Sequence, residues 1–97
     1  MKYKSATALK VTSGRSNTTF AIQLSTADGP GNWTTGGYTS NPKIKLLRNG
    51  KTVKTVYASK DEGYVRFTMK KSSKATYQAV MEERPKVWSS KSKTVTR

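Results

Sequence analysis

Apolar side chains recur at every second position along most of this chain, and no stretch carries the three-to-four spacing of an amphipathic helix. A period of two places alternate residues on opposite faces of an extended strand. Such a chain must fold as sheets with one face turned inward. Residues 6–12 alternate and read as a first strand. Residues 18–26 are the clearest, with Phe20, Ile22 and Leu24 on one face. Strands follow at 43–48, 51–58, 64–69, 76–81 and 92–96. In residues 51–58 the apolar register shifts between Val53 and Val56, the mark of a bulge or of a strand that changes sheet.

Turn chemistry separates these runs. Ser13 to Asn17 and the Lys70 to Lys74 segment are turns by composition. Asn49-Gly50 is a strong hairpin signal, because both central residues of a type I′ turn need positive φ. Asp61-Glu62-Gly63 is a further turn, and Glu82 to Ser89 is a loop around Pro85. Residues 27–41, with Gly29, Gly31, Gly36 and Gly37, read as one long loop. A structureless stretch of that length inside a small domain is often functional.

Ninety-seven residues make one domain, 1–97. A chain of this size buries roughly 65% of its unfolded surface, enough for one thin core. Seven short strands with turns between them favour a β-sandwich of two antiparallel sheets over a barrel or a meander. The alternation nominates a core of Leu9, Val11, Phe20, Ile22, Leu24, Ile44, Leu46, Val65, Phe67, Tyr77, Ala79 and Val95.

Composition removes most familiar chemistry. The chain has no Cys and no His, which leaves no disulfide, no zinc thiolate site, no thiol nucleophile and no imidazole base. Its five acids are scattered, which disfavours a calcium site. Asp61 and Glu62 are adjacent in a turn and read as turn residues. Glu82 and Glu83 are placed to pair with nearby lysines. The glycine pairs fit no phosphate-binding loop, since no helix follows them. No catalytic residue, metal or cofactor is expected, and the chain is not expected to be an enzyme.

Nineteen Lys and Arg stand against five Asp and Glu, a formal charge of +14. That lies well outside the range of about 2 to 8 usual for a small domain, and it calls for a polyanionic partner. Lys43 and Lys45 share one strand face, Arg66 and Lys70 another, while Lys51, Lys54, Lys70, Lys71 and Lys74 crowd turns. Some lysines blunt exposed strand edges. The expected contact region is Lys43, Lys45 and Arg48 together with Trp33 and Tyr38 of the 27–41 loop. An exposed Trp33 or Trp88 stacks on a sugar or a base; each can equally close one end of a small core. No apolar run approaches the roughly 20 residues that span a bilayer. Met1-Lys2-Tyr3-Lys4 does not open a signal peptide, so any export signal is expected outside this chain.

Three stretches resemble a bacterial immunoglobulin-like repeat of secreted and cell-surface proteins: KIKLLRNGKTVKTVYAS, KDEGYVRFTMK, and KATYQAV followed by SSKSKTVTR. Their order and spacing match the family pattern over residues 43–97, and the likeness extends over 6–26. The resemblance implies a seven-strand immunoglobulin-like sandwich, with Tyr77 in the position of a tyrosine corner. It also implies a monomeric, non-catalytic accessory or adhesion module of an exported bacterial protein, secreted or at the cell surface. Its partner would be an anionic cell-wall polymer or polysaccharide. The 27–41 loop and the strong basicity are departures from the family pattern. They keep two other expectations open: a basic nucleic-acid-binding domain, specific or nonspecific, and a small secreted inhibitor or antimicrobial protein acting through that loop.

Overall fold

The computed structural model describes residues 3–29, 32–35, 38, 40–71, 73–82 and 87–97. Among the described residues nine strand segments occur in chain order: β1 (Ser5–Ser13), β2 (Asn17–Gly29), β3 (Asn32–Thr35), β4 (Lys43–Arg48), β5 (Lys51–Tyr57), β6 (Tyr64–Lys70), β7 (Thr76–Met81), β8 (Ser90–Lys91) and β9 (Val95–Thr96). They form two antiparallel sheets, and no helix appears among the described residues. None is therefore long and apolar enough to cross a membrane.

In the first sheet β1 pairs along nearly the whole of β2, from Ser5 opposite Thr26 to Ser13 opposite Thr18. The opposite edge of β2 is shared: β6 takes residues 17–23 and β3 takes 25–29. In the second sheet β4 lies between β5 and β7. The far edge of β7 is shared by β8 at Val80–Met81 and β9 at Thr76–Tyr77. β8 and β9 are one strand interrupted at a buried serine. Ser92 donates its N–H to the Ala79 carbonyl (2.8 Å), and its Oγ accepts from the Ala79 N–H (2.9 Å). The hydroxyl thus replaces a ladder carbonyl, and the Gln78 side chain binds the Ser92 carbonyl it displaces (2.9 Å).

The inward faces are those the alternation predicts. Val11, Phe20, Ile22, Leu24, Ile44, Leu46, Tyr77 and Ala79 are buried, and Leu9, Val65, Phe67 and Val95 pack half-buried against them. Phe20 stacks on Phe67 across the strand pair, with centroids 5.3 Å apart, and meets Tyr77 of the opposing sheet edge-on at 5.0 Å. Leu9 and Phe67 touch both the upper and the lower part of the core.

Two local expectations are met in detail. Asn49 (φ 52°) and Gly50 (φ 85°) both occupy the left-handed region of the β4–β5 turn. Leu46 faces Lys54 while Leu47 faces Thr52, so Val53 is the extra residue of a bulge. The bulge leaves Lys54 in register with the inward-facing Leu46 on an edge strand, its Nζ 5.6 Å above the Phe67 ring. A cation aimed inward at an exposed edge discourages pairing with another chain.

The 27–41 loop requires correction. β2 runs on to Gly29 and turns back as β3, which pairs with it from Ser25–Thr35 to Gly29–Asn32 around a bulge. The β-branched Thr34 and Thr35 and the aromatic Trp33 suit a strand, and the flanking glycines obscured it. The count of seven strands changes accordingly, with β3 added and the last strand in two pieces. Pro30, Gly31, Gly36, Gly37 and Thr39 lie outside the described residues.

One long side of the sandwich is fastened. The Trp88 N–H donates to the Tyr3 carbonyl (3.0 Å) and Ser5 Oγ to the Trp88 carbonyl (2.6 Å). The hydroxyls of Thr7 and Ser90 pair, and Arg97 Nε donates to the Val11 carbonyl (3.1 Å). β1 therefore runs alongside the last strand and joins the two sheets at that seam.

Candidate functional site

Antiparallel connectivity decides where the charges collect. The turn residues 14–16, 49–50, 71 and 73–75 meet at one end together with Arg97. Hydrogen bonds link them directly. The Lys71 N–H donates to Ser16 (3.0 Å) and its Nζ to the Gly14 carbonyl (3.0 Å). Asn49 and Thr76 exchange two bonds, from the Asn49 N–H to the Thr76 carbonyl and from the Thr76 N–H to Asn49 Oδ1. Ala75 and Arg97 exchange both backbone bonds (2.9 and 3.0 Å). This end carries Arg15, Arg48, Lys51, Lys70, Lys71, Lys74 and Arg97, and no Asp or Glu among the described residues.

The acids lie at the other end. Asp28 is near the far terminus of β2, Asp61 and Glu62 form the turn before β6, and Glu82 follows β7; Glu83 is outside the described residues. In the Asp61–Gly63 turn the Ser59 hydroxyl accepts from the N–H groups of Asp61 (3.3 Å) and Glu62 (3.4 Å), and Gly63 holds φ 65°. The backbone of those two residues therefore forms the turn. The molecule measures 43 × 22 × 22 Å, so its cationic and acidic ends are far apart compared with a Debye length of about 8 Å.

The five residues nominated from sequence do not come together. Trp33 sits on β3, half-exposed (50%), and its register partner is Ala27 on the outer face of the first sheet. Tyr38 is buried in the core with Ile22, Ala58 and Val87, its N–H bonded to the Lys60 carbonyl (3.1 Å). It plugs the acidic end and offers its ring to the core. Lys43 and Lys45 lie on the outer face of the second sheet, opposite in direction to Ile44 and Leu46 as expected. Arg48 shares the inward phase of Leu46, and its Nη2 is held by the Ser73 carbonyl (3.2 Å) and hydroxyl (3.1 Å). Trp88 is also half-exposed, so neither tryptophan closes an end of the core.

Lys43 and Lys45 are partly neutralised. Lys45 Nζ lies 2.7 Å from Glu82 Oε1, and Lys43 Nζ lies 3.9 Å from Oε2. The hydrogen bond from Lys45 holds the Glu82 carboxyl below its ordinary value; desolvation opposes this, and the charges of Lys43 and Lys45 reinforce it. A carboxyl whose folded pKa is depressed stabilises the fold fully above its unfolded pKa and loses that contribution as pH falls through the folded value. Glu82→Gln is therefore expected to melt slightly below the wild type at neutral pH, with the gap closing in acid. Thermal melts across pH check this, and a gap independent of pH contradicts it.

The outer face of the first sheet also lacks acids among its described side chains. The pairing registers arrange it in rows: Thr12–Thr19–Thr68, then Lys10–Ala21–Arg66, then Ala8–Gln23–Tyr64. Beyond them come Ala6–Ser25–Thr35 and Ala27–Trp33. Small side chains on β2 between taller ones on β1 and β6 leave a shallow trough of about 280 Å³ lined by Lys10, Thr12, Thr19, Ala21, Tyr64 and Arg66.

No known protein-family model matches this chain. No curated protein matches it in sequence.

Proposed function

We propose that this chain is an immunoglobulin-like, non-catalytic module of an exported bacterial protein. It attaches to, or spaces its parent from, an anionic cell-surface polymer through its basic end. The observation that carries this reading is the end formed by residues 14–16, 49–50, 71 and 73–75, which holds no acid among the described residues and is set apart from the described acids by the long axis of the molecule. Fixed charges of one sign on one surface concentrate a polyanion there and speed its association.

The immunoglobulin-like assignment is supported by strand order. β1-β2-β6 faces β5-β4-β7 with the β8–β9 strand, as A-B-E faces C′-C-F-G in such domains. β3 is an added hairpin arm on the B position. Export and bacterial origin rest on the resemblance of residues 43–97 to the repeat family. The chain has no imidazole or thiol to do chemistry, and its adjacent acids serve a turn.

Binding titrations against purified Gram-positive cell wall and against duplex DNA, each over a series of salt concentrations, test the reading. Salt-sensitive binding to wall is expected. Binding to DNA with none to wall would replace this reading with that of an intracellular nucleic-acid-binding domain.

A further inference from the structure

We propose that the outer face of the first sheet is a second, short-range binding surface for a linear polysaccharide with acid groups on alternate sugars. It rests on the preceding reading for the sign of the ligand's charge and shares Lys70 with the basic end; its other residues are different, and it adds ring stacking to charge.

The trough above β2 is one polymer chain wide. Its walls stand on β1 and β6, two strand spacings or roughly 9.5 Å apart. Ala21 forms the floor, and Lys10 and Arg66 face each other across it in a single row. A carboxylate seated there receives charge-assisted hydrogen bonds from both sides. The next row offers the hydroxyls of Thr12, Thr19 and Thr68 to sugar hydroxyls.

Aromatic rings continue the same track. Tyr64 (39% exposed) and Trp33 (50% exposed) stand on one side of it, on rows four β2 residues apart, or about 13 Å. Their neighbours across the sheet are Gln23 and Ala27, and both rings are exposed. Gln23 is held aside, its Nε2 bonded to the Leu24 and Glu62 carbonyls (2.9 and 2.8 Å). Exposed rings with an apolar face and a polar edge suit the C–H faces of pyranose rings.

Charge spacing selects a polysaccharide over a nucleic acid. On β6, Arg66 and Lys70 are four residues apart, so this wall supplies one cation per roughly 13 Å. A stacked nucleic-acid strand carries a charge about every 3.4 Å, which this face cannot match. A glycan with acids on alternate rings is sparse enough.

Hyaluronan oligosaccharides, whose carboxylates lie on alternate sugars, are the probe. Trp33→Ala and Tyr64→Ala are each expected to weaken binding about tenfold while leaving its salt dependence unchanged. Lys10→Ala and Arg66→Ala are expected to weaken binding and flatten the salt dependence. Both aromatics are exposed, so the variants are expected to melt near the wild-type temperature, which the same samples report. Absence of hyaluronan binding, unchanged affinity in the folded double aromatic variant, or tighter binding of oligothymidylate overturns the proposal. Poly(glycerol phosphate), which has no sugar ring to stack, separates the two surfaces. Its binding is expected to survive the aromatic changes and to fail only when the basic end is altered.

Discussion

Phe20→Ala is expected to lower stability by about 4 kcal/mol, the range for emptying a buried aromatic site. Phe20 is 1% exposed and is held from two directions, stacked on Phe67 and edge-on to Tyr77. The lost ring removes both contacts and leaves a void where the two sheets meet. A domain of this size has about 5–15 kcal/mol in total, so the loss takes a large fraction of it. The expected fall in midpoint is roughly 15–30 °C, read by thermal denaturation. Trp33→Ala serves as the contrast: a half-exposed ring on the arm of the first sheet is expected to change the midpoint little. A similar fall for both would mean that Trp33 closes the core after all.

The second large effect concerns binding. Reversing Arg15, Lys51 and Lys74 to Glu in one variant is expected to weaken binding to an anionic polymer more than a hundredfold at low salt. All three are exposed side chains at the acid-free end, so the fold is expected to persist. The dependence of log affinity on log salt is expected to flatten by about 2 to 3, taking a coefficient of roughly 0.7 to 0.9 per lost contact from nucleic acids. Lys43→Ala with Lys45→Ala is expected to do much less, because Glu82 already offsets one of those two charges. Isothermal titration of both variants across salt decides the matter. The first variant removes six units of charge and the second two, so equal losses per unit removed would show that net charge alone governs binding, and that its placement does not.

The strand pattern was legible because burial follows alternation. Phe20, Ile22 and Leu24 face inward on β2 as their spacing requires, and the Val53 bulge follows from the shifted apolar register of residues 51–57. What escaped prediction depends on tertiary pairing. Tyr38 is a single aromatic in a glycine-bearing stretch, and nothing local says that it folds back under the 58–60 segment. Ser92 looks like one of several loop serines until Ala79 is placed beside it. The pairing of β4 with β7 brings Glu82 to Lys43 and Lys45, across a separation no motif records. The basic end, by contrast, was within reach. Its cations sit in or beside alternate turns, and turns two connections apart in an antiparallel fold share an end.

Backbone amide shifts recorded while poly(glycerol phosphate) is added test the central claim most directly. The account predicts that the changes concentrate at residues 14–16, 49–51, 70–75 and 97 and fade as salt rises. Changes centred on the 58–63 turn and Glu82, or spread evenly over the molecule, would contradict it.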